Sequence, residues 1–202
     1  MVSLPKSAQT SQLSRLLIIA PIGIYLKRVK RGIDNVLFRQ TALGETKVRV
    51  ILVAGQDWIQ TDLSYKTEFV DKLKDYVLSI WKQEAGLDVV CDVTVLPMDD
   101  EEYLTGWLLK ELSLLFKTSG IEAGAFVDLT SAPREWLFAA INVLNFFPNV
   151  ELYYVKPMYR KSPKDYTESE IHDEGHPKLE VVRTSYGRQA LRQWTEPKDH
   201  RG

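Results

Sequence analysis

The chain has 202 residues, 45% of them hydrophobic, which suits one compact domain with a full core. Its 26 Lys and Arg against 27 Asp and Glu give a net charge of −1, excluding a global basic field that would hold long nucleic acid by counterion release. The single cysteine, Cys91, excludes disulfides within the chain and sits in the apolar alternation Val89 to Leu96, as expected of a buried thiol in a cytoplasmic protein.

Leu16 to Ala20 is an apolar run bounded by a turn, the pattern of a buried parallel strand; at about five residues before Pro21 it is too short for a membrane span. Gly23 to about Ala42 follows with Ile24, Val29, Ile33, Val36 and Leu37 at helical spacing. Val48 to Ala54 predicts a second strand, Leu63 to Ala85 a second helix stopped by Gly86, and Leu87 to Leu96 a third strand. The acidic run Asp99, Asp100, Glu101 and Glu102 reads as a helix start, with Tyr103 to Lys117 as the helix and Gly120 as its stop. Ala123 to Leu129 is the fourth strand, Arg134 to Phe147 the fourth helix, and Val150 to Val155 the fifth strand. Tyr159 to Pro177 has neither period and reads as a polar linker; Lys178 to Trp194 reads as a short strand and helix. Residues 1–157 are thus expected to form one domain and 158–202 a polar linker and extension. Strands alternating with helices predict an α/β, Rossmann-like, doubly wound and mostly parallel sheet of five to six strands with helices on both faces.

Between the fourth strand and fourth helix lies Asp128–Leu129–Thr130–Ser131–Ala132–Pro133–Arg134, a hydroxyl-rich turn at the carboxyl end of a strand, where open α/β sheets bind ligands. Pro133 suits a first helical turn, Thr130 or Ser131 is expected to cap the free amides, and Arg134 would converge with them on an anion. Ala20–Pro21–Ile22–Gly23 offers one glycine where a dinucleotide fingerprint needs several, and no P-loop string occurs, so no nucleotide cofactor is expected. His172 and His176 have a ligand-like i, i+4 spacing, but Gly175 and Pro177 oppose a helix there; with His200 they read as solvated, and no metal site is expected. Ser131 lacks the flanking glycines of a nucleophile elbow. Lys27, Arg28, Lys30 and Arg31 read first as a solvated helix face, with part of the cluster free to meet a phosphate. Trp58, Trp107 and Trp136 read first as core aromatics.

The turn Asp128 to Arg134, the apolar helix Trp136 to Phe147 and the strand Glu151 to Val155 together resemble the second motif of the CARF domains, the CRISPR-associated Rossmann fold sensors. Ile18 to Lys30 is similar to that family's first motif, so the resemblance spans about Leu16 to Val155; Ala132–Pro133 departs from its more usual glycine-rich turn. The resemblance implies a homodimer whose paired sheet ends hold a cyclic oligoadenylate, the tetra- or hexa-adenylate messenger of type III CRISPR antiviral defence, and regulate a fused or separate effector. Ligand contacts would come from Ala20, Pro21, Ile22 and Gly23 of the first motif and from Thr130, Ser131, Ala132 and Arg134 of the second; Gln56, Asp57, Trp58, Met98 and Asp99 are expected as walls by topology. If the ligand were cleaved, a metal-independent ring nuclease would use Arg134 and Ser131, with Lys27 or Lys161 in support, to stabilise charge as a ribose hydroxyl attacks its phosphate. A third reading, a transcription regulator, would need a DNA-reading helix near Ser185 to Trp194, with Arg188 and Arg192. Neither a membrane nor long nucleic acid is an expected partner.

Overall fold

The computed structural model describes residues 15–23, 26–42, 47–56, 64–120, 122–147, 149–157 and 179–183. Strands β1 (Leu16–Ile22), β2 (Lys47–Gly55), β3 (Asp88–Leu96), β4 (Gly124–Asp128), β5 (Val150–Pro157) and β6 (Leu179–Arg183) form one sheet in the order β3-β2-β1-β4-β5-β6. The first five run parallel and β6 pairs antiparallel with β5. This is the Rossmann-like α/β sheet expected from the alternating pattern, and the strand foreseen after Lys178 closes its edge. The helix foreseen near Ser185 to Trp194, the linker Tyr159 to Pro177 and the three histidines lie outside the described residues.

The alternation of β1 shows why helices cover both faces. Leu16, Ile18, Ala20 and Ile22 pack with Val29, Ile33, Val36 and Leu37 of α1 (Leu26–Ala42) and with Val70 and Leu73 of α2 (Ser64–Tyr76). Leu17 and Ile19 pack on the opposite face with Leu104, Leu108 and Leu112 of α3 (Glu101–Ser119) and with Trp136, Ala139 and Val143 of α4 (Arg134–Leu144). Among the described residues no helix is long and apolar enough to cross a membrane.

Three local features follow from side-chain chemistry. The helix beginning at Ser64 does not stay α-helical to Ala85; it loosens into π-helical turns over Val77–Glu84. Asp34 of α1 supplies the reason, because it accepts from Tyr76 Oη at 3.0 Å and from Trp81 Nε1 at 2.9 Å, and residues five apart share a side only when the winding is wider than an α-helix. Asp100 caps α3 by accepting from the Tyr103 amide at 2.9 Å, so the acidic run is a helix start as its position suggested. Gly86 and Gly120, the expected stops, adopt φ of 70° and 81°.

Gly32 lies in the middle of α1, where glycine is unfavourable, and packing explains it. A β-carbon there would lie 2.6 Å from Tyr153 Cε2 on β5 and 3.5 Å from Asp128 Oδ2 at the end of β4. The missing side chain lets α1 settle directly over the carboxyl ends of β4 and β5. Cys91 is buried as expected, and desolvation pushes its thiol up to about 12, so it is inert as a nucleophile.

Candidate functional site

The sheet order reverses between β1 and β4, and the two strands part there. β1 pairs with β4 only from Leu16↔Gly124 to Ile19↔Val127, yet runs three residues further beside β2, to Ile22↔Ala54. Pro21, which has no amide hydrogen to give a ladder, falls in this one-sided stretch. β4 instead stays with β5 through Asp128↔Tyr153 and then turns away. The result is a crevice at the topological switch point, with residues 20–23 on one wall and 128–133 on the other.

The turn is built on Asp128, a carboxyl fully removed from solvent. Its Oδ1 accepts from the Thr130 amide at 2.7 Å and from the Thr130 hydroxyl. Thr130 Oγ1 accepts in turn from the Val155 amide of β5 at 3.0 Å, and the Leu129 amide donates to the Tyr153 carbonyl at 2.8 Å. Trp136, from the first turn of α4, donates its indole N–H to the Asp128 carbonyl at 3.1 Å. Burial drives the Asp128 carboxyl up from 3.8 to about 7, against hydrogen bonds from Thr130, Tyr153 and the Leu129 amide that favour the charge. Oδ2 has no hydrogen bond of good geometry, so the Tyr153 hydroxyl assists the ionised form only loosely.

The expected cap is not formed. Pro133 itself occupies the N-cap with φ −69° and ψ 168°, its carbonyl taking the first helical bond from Leu137, and no side chain caps α4. Thr130 is withdrawn because its hydroxyl serves Asp128 and Val155. Ser131 is withdrawn because its hydroxyl is buried without a partner against Gly23, where an added β-carbon would meet Ser131 Cβ and O at 3.0 Å. A carboxylate stands near the helix terminus instead: Glu135 accepts from its own amide and from Arg134, and these contacts lower its pKa. Arg134 is 77% exposed and its Nη2 lies 3.1 Å from Glu135 Oε1.

Of the residues anticipated from sequence, Gly23 and Ser131 meet directly across the crevice. Ala20 and Ile22 direct their side chains into the core on the α1 face, so what they can present to a ligand is backbone. Gln56 is exposed at the end of β2, while Met98 and Ala132 are half-buried against the α3 and α4 core. Trp136 is fully buried, its ring centroid 6.2 Å from that of Trp107, which makes it a core aromatic rather than a base-stacking one. Lys30 lies over the Tyr76 ring at 3.8 Å, taking one member of the basic cluster toward α2. Asp57, Trp58 and Lys161, and the side chain of Lys27, lie outside the described residues. Sequence reasoning missed Asp128 as the foundation of the turn and Gly32 as the space it needs; a glycine in mid-helix was the available signal.

Among solved structures the chain is similar to Enterococcus italicus Csm6 bound to cyclic hexa-2′-fluoro-hexa-dAMP, at 12% identity and a TM-score of 0.50, over 88% of this chain and 44% of that one. It is also similar to Can2 from Sulfobacillus thermosulfidooxidans in complex with cyclic tetra-adenylate, at 12% identity and a TM-score of 0.44, over 70% of this chain and 32% of that one. No family model and no curated protein matches the sequence. The chain therefore spans less than half the length of either structure, and the likeness to Csm6 is one of fold. At that level the resemblance read from residues 16 to 155 holds.

Proposed function

We propose that this chain is a cyclic oligoadenylate-binding sensor of type III CRISPR signalling, working as a homodimer that regulates a fused or separate effector. The observation that carries the reading is the crevice between β1 and β4, with the Gly23–Ser131 contact at its mouth and Arg134 exposed beside it. The Csm6 likeness supports it, since a similar fold is found in a protein bound to cyclic hexa-2′-fluoro-hexa-dAMP. A phosphate would compete with Glu135 for Arg134 and for the uncapped amides that open α4. Residues 1–157 would be the sensor unit, and the ligand's repeated nucleotides would be read identically by two copies.

Calorimetric titration with cyclic tetra- and hexa-adenylate tests the reading. One ring is expected to bind per two chains, and Arg134→Ala to weaken it roughly ten- to hundredfold through loss of a charge-assisted contact. Binding of neither ring discards the sensor. Chromatography of the same mixtures decides the ring-nuclease alternative, since an intact ligand removes it.

The dimer draws support from α4, which leaves Leu137, Phe138 and Ile141 between 36% and 46% exposed on the face opposite its core side. An exposed apolar stripe on the helix that opens at the turn suits a two-fold contact that brings two sites together. Ile141→Glu is expected to raise the dimer dissociation constant roughly 30-fold or more, seen as a shift to monomer in light scattering with the circular dichroism unchanged. A protein monomeric before the substitution would remove the dimer.

A further inference from the structure

Among the described residues the sheet order ends at β3, so this strand turns a row of backbone amides and carbonyls outward. Outer strands are ordinarily guarded by lysine, proline, a bulge or sheer shortness. β3 has none of these guards: it runs from Asp88 to Leu96 without lysine or proline and keeps unbroken register with β2, from Lys47↔Asp88 to Gly55↔Leu96. Its Val90, Val93 and Val95 are between 37% and 49% exposed. We propose that β3 is a self-complementary docking edge, on which β3 of a second copy of this chain pairs antiparallel with Val93 on the two-fold axis.

Charge and register select this occupant. The charged side chains of β3 are Asp88 and Asp92. Asp92 is tied back along the sheet, its Oδ2 2.9 Å from Arg49 Nε on β2, while Arg49 Nη1 reaches Glu111 Oε2 of α3 at 3.0 Å. Its charge is therefore answered within the chain, and the edge asks no basic residue of a partner. Alternation places Val93 and Val95 on the face of Val89 and Cys91, toward α1 and α2, and Val90, Asp92 and Thr94 on the opposite face. An axis at Asp92 would set carboxylate against carboxylate, and one at Cys91 or Thr94 would set Asp92 against Val90 or Leu96. At Val93 the axis sets Asp92 against the Thr94 hydroxyl, Val93 against itself, Val95 against Cys91 and Val90 against Leu96. Apolar side chains then meet apolar ones on both faces, and the overlap from Val90 to Leu96 leaves Asp88 outside. So short an overlap belongs to the small, weak class of interfaces, and it joins copies at higher concentration than the contact proposed for α4. Where both form, they link dimers in series; the edge itself depends neither on α4 nor on any ligand.

Thiol cross-linking of the full chain tests the register, with Ile141→Glu removing the α4 contact and Cys91→Ala the native thiol. Val93→Cys on that background is expected to form an intermolecular disulfide under mild oxidation, since directly opposed antiparallel residues bring their Cα atoms to about 4.5–5.5 Å. Val90→Cys is opposed by Leu96 and lies about 20 Å from its own copy, so it should link roughly tenfold more slowly or less. Sedimentation velocity reads the same association without thiols. The Ile141→Glu protein should pass from monomer to dimer as its concentration rises toward the millimolar range, and adding Val93→Lys, which faces two lysines across the axis, should hold it monomeric with an unchanged circular dichroism spectrum. Val93→Cys remaining unlinked, Val90→Cys linking equally fast, or a dimer indifferent to Val93→Lys overturns the pairing. If the edge pairs while neither adenylate ring binds, the sensor reading fails and the docking edge stands.

Discussion

Trp136→Ala is expected to destabilise the protein by about 3–5 kcal/mol, the ordinary cost of emptying a buried tryptophan site. Trp136 is fully buried and fills the space between α4, Trp107 of α3 and the end of β4. Its indole N–H also holds the Asp128 carbonyl at 3.1 Å in a buried bond. Alanine removes both the ring and the donor, and a cavity of that size does not close readily between a sheet and two helices already packed side chain to side chain. Trp136→Phe separates the two losses: it keeps most of the ring and leaves the carbonyl without its donor, an expected cost of about 1–3 kcal/mol. Urea unfolding followed by circular dichroism measures both. A cost below about 1 kcal/mol for the alanine variant would mean that the tryptophan is not the peg between α4 and β4.

What could be read in advance was whatever repeats. The alternation of Leu16 to Ile22 and the helical spacing of Val29, Ile33, Val36 and Leu37 are period signals, and they correspond to the two faces of the observed sheet. The turn Asp128 to Arg134 was also visible, since an apolar strand ending in hydroxyl residues before a proline marks a strand-to-helix junction. The bonding inside that turn was hidden. Thr130 had two possible uses, as a cap for α4 or as a link between Asp128 and β5, and the choice depends on Val155, 25 residues away. Pro133 decided it locally, because its extended backbone at the N-cap sets the hydroxyls apart from the helix amides they were expected to cap. The widening of the second helix at Val77 was hidden for the same reason, since it answers to Asp34 on α1 rather than to any period in its own sequence.

Raising the pH from about 4 to about 8 is expected to remove roughly 4 kcal/mol of stability through Asp128 alone. Burial sets its carboxyl at about 7 in the fold against 3.8 for the exposed group, and each unit is worth about 1.4 kcal/mol. Below 3.8 both states hold the proton and the fold bears no penalty. As the pH climbs past that value the unfolded chain releases its proton first and is favoured, and the loss accumulates until the folded carboxyl ionises too, near 7. Beyond that the contribution is constant. Asp128→Asn keeps the acceptor for Thr130 in a group that does not titrate, so its stability lacks this slope, and the wild type should lose ground to it steadily over the interval. Urea midpoints of the two proteins at several pH values measure the difference, in which every carboxylate and histidine they share cancels. Parallel curves would show that water reaches Asp128, and a hydrated carboxylate beside the crevice would repel the very anion that the turn is proposed to hold. The stability curve therefore bears on function as well as folding: the buried acid that makes the fold weaker at high pH is what keeps the mouth of the site free of negative charge below about pH 6, well under its own pKa of about 7.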